Sequence, residues 1–248
     1  LRVGLAENEV EMLGLAGEVA KVSLRDLGWV LSGAGLGATT VAATMHAAGL
    51  AGIQVFATGG IGGVHRGGDL DVSADLTALG TIPVAVVCSG PKAVLDVART
   101  VEALETLGVP VIGQGVDMLP EFWTRGTDLP VSARSDDATR TAAIIDAHWG
   151  CGLTTGAVVA NPIPVGHELD RDMIAAAIES GLAVATARGV RGRDVTPFLL
   201  THVAMATDGR SLEANMALVR DNAAVAGRIA VALSALRASP VARERGPG

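Results

Sequence analysis

Short apolar runs recur along the chain, and most are followed by glycine or a polar turn and then by residues at helical spacing. The runs at 53–58, 83–87, 109–113 and 156–164 have the length and the small or branched residues of buried strands. Shorter strands are predicted at 20–24 and 130–134. Helical spacing covers 7–18, 38–52, 73–80, 91–107, 136–149, 170–187, 195–206 and 211–237, and a short helix and turn fills 25–35. The helix at 91–107 is predicted from Pro91 at its first turn and Gly108 just past its end. In helix 136–149 the apolar positions are Ala143, Ile144, Ala147 and His148. A polar, irregular segment carrying Trp123 precedes the strand at 130–134. The alternation of strand, glycine and helix predicts an α/β fold, an α/β/α layered domain with a largely parallel or mixed central sheet. One domain is expected over 1–238, with a mobile tail at 239–248. In such sheets ligands bind beyond the carboxyl ends of the strands.

Composition narrows the chemistry. Hydrophobic residues make up 49% and charged residues 18% of the 248, so a sizeable core is available. Aromatic residues make up 2% and tyrosine is absent, so the core is aliphatic and a stacking platform for single-stranded nucleic acid is not expected. The net charge of −7, without a basic run, argues against a nucleic-acid partner. No apolar run is long enough for a membrane span, so no membrane partner is expected. Cys88 and Cys151 lack metal-ligand spacing and read as reduced, buried thiols of a cytoplasmic protein.

Three stretches at predicted strand ends carry candidate chemistry: 58–75, 89–92 and 161–164. The first, TGGIGGVHRGG, leads into His65, Arg66 and DLDVSADL rather than straight into a helix. That order fits a dinucleotide fingerprint poorly and fits backbone brought close to a ligand better. Asp71, Ser73 and Asp75 stand at alternate positions beside a helix start. A carboxylate there, with room for water, suits a hard divalent cation, while Ser73 serves equally as a helix cap. Lys92 follows a buried strand and a Ser-Gly-Pro turn at a predicted helix N-terminus. Desolvation and the helix dipole both favour a neutral amine there, and a neutral amine attacks carbonyls to form a Schiff base. The same lysine also reads as one whose stem packs while its head reaches solvent. Of the histidines, His46, His148 and His202 fall on helices, and His65 in the glycine loop is the functional candidate.

Taken together, KVSLRDL, GATTVAATM, AGIQVFATGGIGGVHRG, DVSADL, VAVVCSGPKAVLD, LETLGVPVIG, VVANPIP, TPFLL and SLEANMALVRDNA resemble the pseudouridine-5′-phosphate glycosidase family, also called indigoidine synthase A-like. The resemblance runs in order from Leu1 to about Leu233. It implies an enzyme, lyase by class and glycosidase by bond. The reaction is reversible cleavage of the C–C glycosidic bond of pseudouridine 5′-phosphate, giving uracil and ribose 5-phosphate. It implies Lys92 as the nucleophile that forms a Schiff base with the ring-opened ribose, and Asp71 as ligand of one divalent cation, usually Mn²⁺. Lys21, Thr40, Val41, Thr58, His65, Ser73, Ala74, Asp75 and Asn215 match substrate-binding positions, with Lys21, Thr40 and Val41 toward the phosphate. A cytoplasmic homotrimer is also implied.

The sequence departs from the family pattern in places. Family members carry a glutamate, in a Glu-Ser-Thr motif acting as general acid/base, ahead of the position where this sequence begins. The abrupt start at Leu1 reads as a chain missing its beginning, and Glu7 and Glu9, on a polar helix face, are poor substitutes for that glutamate. The HRGGDLD loop is two residues shorter than usual, and Pro91 replaces a small residue. The competing expectations are a non-catalytic sugar-phosphate-binding paralogue that keeps Lys21, Thr40 and Asp71, and a dinucleotide-dependent oxidoreductase.

Overall fold

A computed structural model of the chain describes residues 1–17, 19–33, 35–66 and 71–238. The predicted mobile tail at 239–248 lies outside the described residues. In chain order the elements are α1 (Glu7–Leu15), β1 (Ala20–Val22), α2 (Leu27–Ser32), β2 (Gly37–Thr39), α3 (Val41–Leu50), β3 (Val55–Ala57), β4 (Val64–His65), α4 (Ala74–Leu79), β5 (Ala85–Cys88), β6 (Leu95–Asp96), α5 (Val97–Thr106), β7 (Val111–Gln114), β8 (Ala133–Ser135), α6 (Ala138–Gly150), β9 (Ala157–Ala160), α7 (Arg171–Ala187), α8 (Val195–Ala206) and α9 (Arg210–Ala238).

The centre is a five-stranded sheet in the order β3-β5-β9-β7-β8, parallel throughout. Strands β5 and β9 are buried along their whole length, because helices cover both faces. Val86, Cys88, Val158 and Ala160 face α3, α4 and α5. Their alternates Ala85, Val87, Ala157 and Val159 face α6 and α9. This is the α/β/α layering that the apolar pattern predicts. A third apolar cluster packs α7, α8 and the start of α9 around Phe122 and Trp123. Trp123, from the segment read as polar and irregular, has no exposed surface and anchors that cluster. Among the described residues no helix is long and apolar enough to cross a membrane.

Several predicted boundaries move. Residues 37–39 pair as a parallel strand with β1, so α3 starts at Val41 behind the cap Thr40. Residues 64–65 and 95–96 pair antiparallel. The helix placed at 91–107 therefore begins at Val97, where the Asp96 carboxylate accepts the Arg99 N–H at 3.0 Å. Lys92 sits five residues before that helix, in a turn closed by Leu95 N–H to Lys92 O at 3.0 Å. The buried stripe of α6 is Thr141, Ala142 and Ile145, with Ala143, Ile144 and His148 half-buried and Ala147 exposed. On that stripe the Thr141 hydroxyl donates to Ser135 Oγ at 2.8 Å and to Gln114 Oε1 at 3.2 Å. Cys88 is buried as expected, but Cys151 is exposed, at the end of α6.

Candidate functional site

The carboxyl ends of β3, β5 and β9 deliver Thr58, Ser89 and Asn161 to one edge of the sheet. Two loops run on together from that edge. Ser89 N–H donates to Gly59 O at 2.9 Å, Ile61 N–H to Gly90 O at 3.2 Å, and Lys92 N–H to Ile61 O at 3.1 Å. The glycine loop and the Lys92 loop are thus strapped to each other along their backbones. Arg66 adds a second strap, donating from Nε to Leu95 O and from a terminal nitrogen to Ala93 O, both at 3.0 Å. On the other side Phe122 N–H donates to Ser89 O at 2.8 Å, and Phe122 holds a left-handed φ of 56°. A left-handed aromatic residue is strained and persists where its surroundings over-determine it. The glycines of the loop were expected to admit a ligand. At Gly60, Gly62 and Gly63 the neighbours a Cβ would strike are instead the protein's own Phe122, Ser73 and Thr100. Close packing of backbone on side chains accounts for these positions.

The charged side chains converge here. Burial pushes the Lys92 ammonium below its ordinary value; Asp75 opposes the shift and Lys21 adds to it. Burial likewise lowers His65, with Asp71 opposing and Lys21 and Lys92 reinforcing. Lys21 on β1, His65 on β4 and Lys92 therefore feel one another, although they lie far apart in sequence. The neutral amine foreseen for Lys92 is favoured by desolvation and by a neighbouring cation. The helix dipole, invoked from the sequence, does not act, because Lys92 is not at a helix start. Asp75 is buried and accepts the Ala42 N–H at 2.9 Å and the Gly62 N–H at 2.8 Å, clamping the first turn of α3 to the glycine loop. Ser73 caps α4, accepting from Asp75 N–H at 3.2 Å, and Ala74 is exposed beside it. Thr40 caps α3 and Val41 is its buried first residue. Burial also pushes the neighbouring Cys88 thiol up to about 12, so it is inert at neutral pH.

Other candidates make their contacts outside this charged cluster. The carbonyl oxygen of Asn215 accepts from Trp123 Nε1 at 2.8 Å, which ties it to the Trp123 cluster. His148 bonds Thr155 at 2.7 Å and His202 stacks on Phe198. Glu9 is held by Arg2 and by the Ala6 N–H. An open groove of about 570 Å³, lined in part by Val101, Leu119, Val131 and His148, includes none of the residues around Lys92.

Sequence reasoning missed a buried amide network under the Lys92 loop. Asn222 of α9 donates from Nδ2 to Thr58 O at 2.9 Å and to Ser89 Oγ at 3.1 Å. Its Oδ1 accepts from Asn161 Nδ2 at 2.9 Å, and Asn161 Nδ2 also donates to Asp221 Oδ2 at 2.7 Å. The available signal was an asparagine inside a long helix, where the residue is unfavourable and needs a reason.

Among the described residues no group of three or more His, Cys, Asp or Glu side chains could hold a metal ion. Asp71 offers one partly exposed carboxylate, with Oδ2 3.8 Å from His65 Nδ1. That donor set fits a divalent cation that keeps most of its water, in the manner of Mg²⁺ or Mn²⁺, and does not fit a closed protein cage.

Comparison with known proteins finds relatives over most of the chain. The family described as indigoidine synthase A like protein matches residues 1–232. The chain is 50% identical to the pseudouridine-5′-phosphate glycosidase of Caldanaerobacter subterraneus subsp. tengcongensis over 238 residues, covering 95% of this chain and 78% of the relative. It is also 50% identical to the enzyme of that name from Geobacillus kaustophilus, covering 94% of this chain and 78% of the relative. Among solved structures, the prealnumycin C-glycosynthase AlnA in complex with ribulose 5-phosphate superposes with a TM-score of 0.88 at 41% identity, covering 95% of this chain and 78% of that one. An indigoidine synthase A-like protein from Thermotoga maritima gives a TM-score of 0.85 at 36% identity, covering 93% and 76%.

Proposed function

The chain belongs to the indigoidine synthase A like family, and from that premise we propose that it cleaves and forms the C–C glycosidic bond of pseudouridine 5′-phosphate, using Lys92 as a Schiff-base nucleophile. The observation that carries the reading is the convergence of Lys21, His65, Asp75 and Lys92 beside the strapped loops, with burial the largest influence lowering the Lys92 amine, Asp75 opposing it and Lys21 reinforcing it. The named substrate of curated relatives at 50% identity supports the substrate class. The sugar phosphate bound by AlnA supports a phosphorylated pentose as the ligand class.

The Lys92 amine bonds to the sugar C1, and the bond from C1 to the ring oxygen breaks, leaving that oxygen as a hydroxyl. The nitrogen lone pair then forms an imine to C1 as the C–C bond breaks, and the departing uracil carbon takes a proton. Water adds to the imine, releasing ribose 5-phosphate and restoring the amine. A C–C bond has no heteroatom leaving group to protonate, so the open-chain nitrogen adduct is what lets it break. In the reverse direction Lys92 condenses with the aldehyde of ribose 5-phosphate with loss of water, the uracil carbon attacks the imine and gives up its proton, and the sugar hydroxyl closes onto C1 as the C1–N bond breaks and frees the amine.

Lys21 and the first turn of α3, behind Thr40, are proposed to hold the phosphate, since helix N-terminal N–H groups favour an anion. His65, Thr58, Ser73, Ala74, Asp75 and Asn215 are proposed to line the sugar and base. Asp71 would hold one hydrated Mn²⁺, which would supply positive charge and ordered water beside the sugar phosphate. Three copies of the chain are proposed as the working assembly. Helix α1 buries none of its residues, and Leu1, Val3, Leu5, Val10, Met12 and Leu15 form apolar surface that such an assembly would cover.

The test is to incubate the chain with uracil, ribose 5-phosphate and Mn²⁺, and separately with pseudouridine 5′-phosphate. Product nucleotides and free uracil are followed by chromatography and mass spectrometry. A C-linked nucleotide in the first reaction and free uracil in the second are expected. No interconversion in either direction, from folded chain that binds ribose 5-phosphate, would favour the sugar-phosphate-binding paralogue.

A further inference from the structure

We propose that Asn222 is the positioning residue of the Lys92 loop: its carboxamide locks Ser89, the residue from which that loop departs, to the ends of β3 and β9. The inference rests on the reading of Lys92 as the nucleophile.

The hydrogen-bond directions are forced. Thr58 O can only accept, so the nitrogen of Asn222 must face it, at 2.9 Å. Asp221 Oδ2, read as an ionised carboxylate, accepts, so the Asn161 nitrogen faces it at 2.7 Å. That nitrogen also donates to Asn222 Oδ1 at 2.9 Å. The remaining Asn222 hydrogen then meets Ser89 Oγ at 3.1 Å, and the Ser89 hydroxyl faces Asn222 Oδ1 at 3.4 Å. One amide therefore joins two strand ends and the root of the Lys92 loop, and no member of the set can rotate without leaving a buried polar group unpaired.

The surroundings argue that this is more than helix packing. The buried residues of α9 include Leu218, Val225, Ala226, Ile229 and Leu233, and Asn222 lies among them with no exposed surface. An apolar residue at 222 would seat the helix on the sheet as well or better. A fully satisfied buried polar group specifies one arrangement of its partners. Here the arrangement so specified is that of Ser89, Gly90, Pro91 and Lys92, clamped from above by Phe122 N–H on Ser89 O.

The experiment uses Asn222→Ala and Ser89→Ala, both neutral. Each is measured for thermal midpoint, ribose 5-phosphate affinity, rate of borohydride-trapped adduct at saturating sugar phosphate, and pH dependence of Lys92 acetylation by trace acetic anhydride. Displacement of the amine by about an ångström is expected to slow trapping by about 10–100-fold in Asn222→Ala, and less in Ser89→Ala, with affinity changed by less than about 3-fold. The midpoint of Lys92 labelling is expected to rise in both variants as the loosened loop admits water. Trapping and labelling within about twofold of the parent, in either folded variant, would overturn the proposal. So would an equal loss of binding and trapping. Should Asn222→Ala not fold, Ser89→Ala decides alone. A parent chain that forms no adduct, while Lys92 labelling still shifts in the variants, would sink the Schiff-base reading and leave the positioning role standing. A parent that traps normally with unresponsive variants would do the reverse.

Discussion

Gly90→Ala probes how tightly the Lys92 loop is built. Gly90 has φ +81°, and a Cβ built on it would stand 2.0 Å from the carbonyl oxygen of Pro120 and 3.0 Å from its carbon. An ordinary carbon–oxygen contact is more than an ångström longer, and the obstacle is backbone, which cannot swing aside like a side-chain end. Left-handed φ on a residue with a Cβ costs roughly 1–2 kcal/mol. Overpacking against a fixed neighbour costs about 1–3 kcal/mol more. The sum, about 2–5 kcal/mol, corresponds at ~2–4 °C per kcal/mol to a fall in thermal midpoint of about 4–20 °C. Relief of the clash must move either Gly90 or the 119–122 segment, and Gly90 lies two residues from Lys92. A shift of about an ångström there should slow adduct formation by about 100-fold. Differential scanning calorimetry and the trapping rate with ribose 5-phosphate are the assays. A variant with the parent's midpoint and trapping rate would refute the reasoning, because the loop would then have slack that the geometry denies.

Other expectations follow from the same contacts. Lys92→Met should abolish the adduct yet raise the thermal midpoint by a few degrees, since it removes a desolvated ammonium worth on the order of 1 kcal/mol; calorimetry with mass spectrometry reads both. The Lys92 amine has a folded pKa below its ordinary 10.5, so the unfolded chain holds that proton to higher pH. Stability should rise as pH climbs from the folded value toward 10.5, and denaturant melts of Lys92→Met should lack that rise. Because Lys21 helps hold Lys92 down, Lys21→Met should move the midpoint of Lys92 labelling upward. Asp75→Asn replaces a carboxylate that accepts from Ala42 and Gly62, and should cost about 2–3 kcal/mol by urea denaturation while disordering the glycine loop.

Much of the architecture was legible because parallel strands buried on both faces read as unbroken apolar runs. The runs at 83–87 and 156–164 overlap β5 (Ala85–Cys88) and β9 (Ala157–Ala160), and α9 follows from its long helical spacing. The start of α5 was misplaced because Pro91 and Gly108 bracket a plausible helix. The antiparallel pairing of Leu95–Asp96 with Val64–His65, which no local signal encodes, claims its first residues instead. The Lys92 amine is lowered by burial, with Asp75 opposing and Lys21 reinforcing, not by a helix end, and Lys21 is 71 positions away (92 − 21) in sequence. Asp75 stands out in the sequence beside Asp71 and Ser73, but its grip on Ala42 and Gly62 needed the fold. Asn222 escaped notice because its partners Thr58, Ser89 and Asn161 come from three different strand ends.

The central claim is a covalent bond between Lys92 and the sugar carbon. The direct measurement is to incubate the chain with ribose 5-phosphate and Mn²⁺, reduce with borohydride, digest, and locate the adduct by mass spectrometry. The account requires a reduced pentose phosphate on Lys92 and none on Lys21. A folded chain that binds ribose 5-phosphate yet carries no adduct, or carries it on another lysine, would contradict it.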